Sequence, residues 1–181
     1  MILREVQDIT RLIPFIRESN RIERIEREVT STEIDAYQDF LELEFLTVAN
    51  VEDFVRAVEP GARLRRDPMD MCMVGDRVCP EPGTTLVADL MSLLEDINKK
   101  KIKALDAHVR YEWLHPFTDG NGRSGRAIWL WQMEMIGYQY SFLHLFYYQA
   151  LDKLEEPHDR QLHNRQPPSQ TEALPTGDQG R

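Results

Sequence analysis

Residues 115–126 read HPFTDGNGRSGR and lie between two strongly apolar segments with a helical period. The stretch holds a histidine, an acid, three glycines, an amide and two arginines. Such a composition has poor helix propensity and offers little apolar surface to bury. We therefore predict a helix-loop-helix junction whose residues were selected for chemistry.

The small residues at the start of the second helix predict a binding site for an anion. Gly120 and Gly122 lead into that helix, where backbone N–H groups converge and the helix dipole favours negative charge. Arg123 and Arg126 lie three positions apart on its first turns, so both guanidinium groups are expected to reach one ligand. Two arginines match a polyphosphate better than a monophosphate.

Asp119 and His115 add two further functions to this cradle. An acid beside bound phosphates would be repelled unless a cation intervened, so Asp119 is a candidate Mg²⁺ ligand. His115 precedes the cradle and is a candidate base for an incoming hydroxyl. A base, a metal ligand, an anion cradle and charge clamps together indicate transfer of a phosphorus group from a nucleotide to a hydroxyl. Each residue alone also has an ordinary structural interpretation as a helix cap, a turn residue or a surface charge.

Apolar periodicity predicts a mainly helical chain around this stretch. Pro14 is expected to kink the first helix or mark its boundary, and Ser19 and Asn20 are expected to cap a charged second helix. Thr30 and Glu33 have the spacing of a capping box. The predicted helical segments are residues 3–16, 19–27, 30–45, 50–58, 87–97, 102–114, 127–135 (ended by Gly137) and 141–154.

Residues 63–82 interrupt the helical pattern. They contain three prolines, and residues 74–78 suit a turn between two short strands, which predicts a small hairpin. Cys72 and Cys79 flank this hairpin and are expected to be a reduced, packed pair. A disulfide or a metal site is the alternative, but no third ligand with suitable spacing accompanies them.

The overall composition bounds the class of protein. A chain of 181 residues has room for one domain with a core and a tail. Its net charge of -9 argues against a wide basic surface for nucleic acid. Because no apolar run approaches about 18 residues, we expect no membrane span. The start of the chain lacks the pattern of a secretory signal, so a cytoplasmic location is expected.

The stretch matches H-x-F-x-[D/E]-G-N-G-R-x-x-R and so resembles the Fic (Fic/DOC) family, enzymes that typically transfer AMP from ATP to a protein hydroxyl. The resemblance covers residues 15–155. His108 resembles the second histidine of the family's preceding helix, and the hairpin resembles the flap that pins a target segment by strand-like pairing. It implies an all-α, Fic-type helical bundle with a β-hairpin flap, with an N-terminal helical segment (1–28) before a catalytic core (29–155). Residues 156–181 are poor in apolar residues and are expected to be a disordered tail.

The resemblance also implies a role for each motif position. His115 would be the general base, Asp119 the Mg²⁺ ligand and Phe117 buried support. The two arginines would clamp the β- and γ-phosphates, with pyrophosphate as the leaving group. The residues expected to bind the nucleotide are Asn121, Gly122, Arg123, Gly125 and Arg126.

Residues 19–24, SNRIER, resemble the family's inhibitory motif [S/T]-x-x-x-E-[G/N], although Arg24 replaces the final small residue. The resemblance implies that Glu23 pairs with Arg126 and withdraws one phosphate clamp from ATP. The alternative is an ordinary surface glutamate, because several acids crowd this segment.

Taken together, these features predict an autoinhibited protein adenylyltransferase that uses ATP and Mg²⁺. The expected acceptor is a Tyr, Thr or Ser hydroxyl of a target protein or of the chain itself. Two alternatives remain: removal of AMP from a modified protein, with Glu23 activating water, and a non-catalytic nucleotide-binding interaction module. No nucleic-acid or membrane partner is expected, and the sequence leaves monomer and homodimer open.

Overall fold

The structure is a computed structural model that describes the backbone of residues 9–135 and the side chains of residues 12–133. The predicted mainly helical fold with a small antiparallel hairpin is confirmed. The elements of this part of the chain are α1 (Ile9–Ile22), α2 (Ser31–Leu41), α3 (Val48–Val58), β1 (Met73–Val74), β2 (Arg77–Val78), α4 (Thr84–Asn98), α5 (Ala104–Leu114) and α6 (Asn121–Met135).

Helix α1 corrects the prediction for the first part of the chain. It continues through Pro14 and includes Ser19 and Asn20, which do not cap a second helix but are buried. The helix ends at Ile22, so the charged helix predicted for residues 19–27 is wrong beyond that point. The reason is tertiary: the Asn20 amide donates to the Glu33 carboxylate at 2.9 Å, which turns this side of α1 toward α2.

Helices α2 and α3 begin with local signals. The predicted capping box between Thr30 and Glu33 is confirmed, and Thr47 forms a second one with Asn50. Helix α3 ends at Val58, the end predicted for the helical segment at residues 50–58, and Pro60 and Gly61 follow it. The helix predicted for residues 30–45 ends earlier, at Leu41, so Phe45 lies beyond it and is exposed.

The hairpin forms as predicted. Val74 pairs with Arg77 across Gly75, whose φ of 58° suits the turn. The Cys79 N–H donates to the Cys72 carbonyl at 3.1 Å, and both cysteines are free thiols here; their reduced state stays a prediction. Burial, followed by the contact with Cys72, raises the pKa of Cys79 to about 11. In residues 12–133 no cluster of His, Cys, Asp or Glu has the form of a metal site.

Helix α6 is the central helix of the described bundle. It packs against α1, α2, α3 and α5, with α4 beyond α5. No helix between residues 9 and 135 is long and apolar enough to cross a membrane. The core of this part of the chain is built from large apolar side chains of all six helices, among them Ile16, Tyr37, Phe54, Leu90, Tyr111 and Ile128.

Several predictions fall outside the described residues. These are the first residues of the predicted 3–16 helix, the stop at Gly137, the helix at 141–154 and the tail at 156–181. The proposed division at residues 28 and 155 likewise stays a prediction.

Candidate active site

His115 lies at the point where α5 ends and the motif loop begins. It is the C-cap of α5 and has a φ of 46°, in the left-handed region that residues with a Cβ adopt only with strain. Its ring is partly buried. A left-handed residue reverses the chain direction, so the motif leaves α5 abruptly at the predicted base.

The loop after His115 is held by backbone pairing. The Arg65 N–H donates to the Pro116 carbonyl and the Thr118 N–H donates to the Arg63 carbonyl, both at 2.9 Å. Phe117, buried as expected, forms a bridge with Leu64 between these bonds. The segment that precedes the hairpin therefore fixes the motif loop.

Asn121 closes the loop on itself. Its side chain accepts from the Phe117 N–H and donates to the Phe117 carbonyl, each at 2.8 Å. The amide is buried and bonds to Phe117 through both its oxygen and its nitrogen, so Asn121 holds the motif loop closed.

Gly122 lies directly under the Glu23 carboxylate. A Cβ on Gly122 would come within 2.0 Å of Glu23 Oε1, closer than any real contact. The carboxylate therefore occupies the anion position predicted at the N-terminal end of α6, beside the backbone of that helix.

Arg126 is buried and held by α1. Its Nε donates to Ser19 Oγ at 2.8 Å, and its Nη2 donates to the Ser19 carbonyl at 3.0 Å and to Glu23 Oε1 at 2.5 Å. The guanidinium is 1% exposed and the Glu23 side chain 37%. The structure thus contains the pairing of Glu23 with Arg126 that the sequence predicted, and Ser19 strengthens it.

The turn after α1 shows what it costs to have Arg24 where the inhibitory motif has a small residue. The Ile25 N–H donates to the Asn20 carbonyl and the Arg24 N–H donates to the Arg21 carbonyl, both at 2.9 Å. This pair of bonds is the Schellman ending of a helix, which requires a left-handed residue after the cap. Arg24 occupies that position with a φ of 60°, which glycine or asparagine would adopt with less strain.

The Arg123 side chain does not point toward Glu23 and Ser19, as that of Arg126 does, but toward the end of α3. Its guanidinium is 3% exposed, donates to the Val58 carbonyl at 2.7 Å and forms an ion pair with Glu59. The structure therefore does not bring the two motif arginines to one point: Arg123 ties α6 to the end of α3, and Arg126 ties α6 to α1.

Gly125 faces α5. A Cβ there would come within 2.5 Å of Glu112 Oε1 and within 3.1 Å of His108 Cε1. The predicted nucleotide-binding glycine thus has a packing reason for its size, since it lets α5 and α6 approach closely.

Asp119 is exposed, and its Oδ1 accepts the Gly120 N–H at 2.6 Å. Magnesium bound to a nucleotide commonly takes one or two protein carboxylates and completes its shell with phosphate oxygens and water. A single exposed carboxylate at the edge of the cradle fits that arrangement.

Sequence reasoning missed two arginines that grip the end of α5. Arg65 donates to the carbonyls of Leu114 and His115 at 3.1 and 2.8 Å, and Arg77 donates to those of Glu112 and Trp113 at 3.2 and 2.9 Å. Bonds from a side chain to a distant carbonyl leave no pattern in a sequence.

Buried His108 and partly exposed Glu112 lie together beside the site, a pair that the sequence did not predict. Burial raises the pKa of Glu112 to about 7 and lowers the pKa of His108 to about 4. The Glu112 Oε1 has no hydrogen-bond partner among the described residues and lies 3.8 Å from His108 Nε2. A charged residue on the face of an apolar helix, four positions after a histidine, is the signal that was available.

The sequence of this region matches a known protein family. A sequence model of the Fic/DOC family matches residues 32–133 of the 181-residue chain. The match spans α2 through most of α6 and includes the hairpin and the motif loop. It begins after Glu23, so α1 lies outside it.

Proposed function

This chain belongs to the Fic/DOC family, and we propose that it transfers AMP from ATP to a hydroxyl side chain of a target protein, with Glu23 as a built-in inhibitor. Members of the family commonly carry out AMPylation or a related nucleotide transfer to proteins. The finer activity rests on the arrangement around α6.

The observation that carries the proposal is the position of the Glu23 carboxylate. It lies over Gly122 and pairs with Arg126, where an anionic ligand would use the same backbone and the same guanidinium. An acid that occupies an anion site competes with the anion. The free cradle is therefore the active form, and the paired form is the inhibited one.

Within the active form each residue has one task. His115 accepts the proton of the target hydroxyl as its oxygen bonds to the α-phosphorus and pyrophosphate leaves. Arg126 binds the polyphosphate after Glu23 has withdrawn. Asp119 would hold Mg²⁺, which neutralises phosphate charge when bound. Asn121 keeps the loop closed on Phe117, so the backbone of the cradle is in place before ligand arrives.

Arg123 supports the site from behind in this proposal. Its bonds to the Val58 carbonyl and Glu59 fix the first turn of α6 against the end of α3. The nucleotide is bound by Arg126 and the backbone of α6, and Arg123 aligns that backbone.

Intact mass spectrometry tests the transfer. The wild type, Glu23→Gly, Glu26→Gly and the double variant Glu23→Gly/His115→Ala are incubated with ATP, Mg²⁺ and a cell lysate, and labelled protein is followed by mass and by radiolabel from α-labelled ATP. We expect AMP on the chain or on lysate proteins with Glu23→Gly, little with the wild type or the exposed-residue control Glu26→Gly, and none with the double variant. No label with Glu23→Gly would refute the proposal.

AMP removal is a second candidate, because Glu23 is partly exposed at the cradle and a carboxylate there is a candidate base for water. The same samples decide it when they are given a protein already carrying AMP. Release of AMP by the wild type but not by Glu23→Gly would favour removal. ATP binding without transfer or release in any sample would instead indicate a non-catalytic nucleotide-binding module.

A further inference from the structure

The C-terminal end of α5 is closed by cations. A helix leaves its last four carbonyl groups without partners inside the helix. Here the carbonyls of residues 112 and 113 accept from Arg77, and those of residues 114 and 115 accept from Arg65. Both arginines belong to the segment at residues 63–82, so hydrogen bonds attach this segment to the end of α5, which carries His115.

Arg65 also joins both flanks of the hairpin. Its guanidinium donates to the Asp70 carbonyl at 3.2 Å and to the Pro80 carbonyl at 3.0 Å. The residue is 0% exposed, and all its hydrogen-bond acceptors among the described residues are carbonyl groups. Within this part of the chain its charge is therefore balanced by carbonyl dipoles, two of them at a helix end, and by no carboxylate.

Arg77 lies on β2 and is partly exposed. Besides its two bonds to α5, its guanidinium lies 5.4 Å from the centre of the Trp113 ring, within the range of a cation–π contact. The hairpin thus places a second positive charge on the last turn of α5, one turn from His115.

These charges act on the His115 ring. Burial is the largest cause that lowers the pKa of His115, and the charges of Arg65 and Arg77 follow, which brings it to about 4. The Glu112 carbonyl and the Glu23 carboxylate oppose this effect and are smaller. The His115 Nδ1 is buried and makes no hydrogen bond of good geometry with the described residues.

We propose that Arg65 and Arg77 are positioning residues for His115: they hold the end of α5 through its carbonyl groups, and their positive charges add to burial in disfavouring the protonated imidazole. A neutral imidazole is the form that accepts a proton, so attachment of the hairpin to α5 makes His115 ready to act as a base. This inference deepens the proposed function and rests on it for the role of His115.

The test measures the ring directly and needs no activity. The pKa of His115 is followed by ¹H–¹³C NMR, with its signal assigned as the one lost in His115→Ala. Arg77→Gln keeps donor groups but removes the charge, and Arg77→Lys keeps the charge. The control Arg110→Gln removes one exposed charge from α5, the helix that ends at His115. We expect the pKa of His115 to rise by about 0.5 unit or more in Arg77→Gln and to stay near the wild-type value in Arg77→Lys and Arg110→Gln. An unchanged pKa in Arg77→Gln, or an equal rise in Arg77→Lys, would overturn the inference.

A kinetic readout separates this inference from the proposed function. In the Glu23→Gly background, Arg77→Gln is expected to shift the acidic limb of the pH profile of AMP transfer to higher pH, with a smaller change at pH 8. If Glu23→Gly transfers nothing while the NMR shift is present, the proposed function fails and the effect of the arginines on His115 stands. If transfer occurs and the acidic limb does not move, the positioning role fails alone.

Discussion

Glu23 Oε1 lies 2.5 Å from Arg126 Nη2, although the two residues are 103 positions apart in the chain. The contact joins the residue that directly follows α1 to the first turns of α6, above the backbone of Gly122. A ligand anion and the end of α1 therefore need the same guanidinium, and only one of them can have it.

Removing the carboxylate should strengthen ATP binding. Loss of a charge-assisted hydrogen bond of about 1.5–3 kcal/mol frees Arg126, so Glu23→Gly is expected to lower the Kd for ATP by about tenfold or more. Isothermal titration calorimetry with Mg²⁺ measures this, with Glu26→Gly as the control for an exposed acid in the same segment. Equal affinities for wild type and Glu23→Gly would contradict competition for Arg126.

Gly122→Ala should break the ion pair without restoring ATP binding. The added methyl group would lie 2.0 Å from the present position of Glu23 Oε1, so the carboxylate must move, but the methyl then fills the cradle itself. We expect the double variant Glu23→Gly/Gly122→Ala to bind ATP at least about fivefold more weakly than Glu23→Gly, as expected for overpacking of about 1–3 kcal/mol. Equal binding by these two variants would place the phosphates away from Gly122.

Arg24→Gly should stabilise the fold. Relief of the left-handed strain at this position is expected to raise the free energy of unfolding by about 1 kcal/mol, measured by urea denaturation. Arg24→Ala keeps a Cβ and hence the strain, so it is the matched control and should show little gain. A similar gain in both variants would assign the effect to loss of the arginine charge.

Glu33 should contribute stability that is lost in acid. Burial alone would raise the pKa of Glu33, but hydrogen bonds from Arg27, Thr30 and Asn20 lower it to about 2. A carboxyl with a lowered pKa stabilises the fold fully above its unfolded value of 4.5, and this contribution disappears as the pH falls from 4.5 to about 2. Glu33→Gln should remove about 2–3 kcal/mol at pH 7 and flatten the dependence of unfolding free energy between pH 5 and 2. Parallel wild-type and variant curves would show that Glu33 is not the group responsible.

Local signals made most of the fold predictable. Thr30 and Glu33 are three positions apart, so their capping box could be read from the local sequence. The apolar periods of α4 and α5 and the turn at Gly75 are equally local. The error at α1 arose where a distant partner decided the outcome, because Asn20 is bound by Glu33 and not by the backbone of a new helix.

The sequence predicted which residues form the site, but it did not predict the directions in which their side chains point. The motif located His115 and the cradle, yet nothing in its letters shows that Arg123 turns toward Glu59 while Arg126 turns toward Ser19. Those directions depend on carbonyls and carboxylates from helices that are distant in the sequence. The same holds for Arg65, whose acceptors are all backbone atoms.

The turn that ends α1 has a thermodynamic consequence for the whole site. Since Glu23 is the cap of that turn and Arg126 is its partner, binding of an anion to Arg126 and formation of the helix end are linked equilibria. Linkage is reciprocal. A change that stabilises the helix end weakens anion binding, and a bound anion destabilises the helix end by the same factor. Nucleotide binding is then expected to change hydrogen exchange at the amides of Arg24 and Ile25, which are far in sequence from the residues that bind the nucleotide.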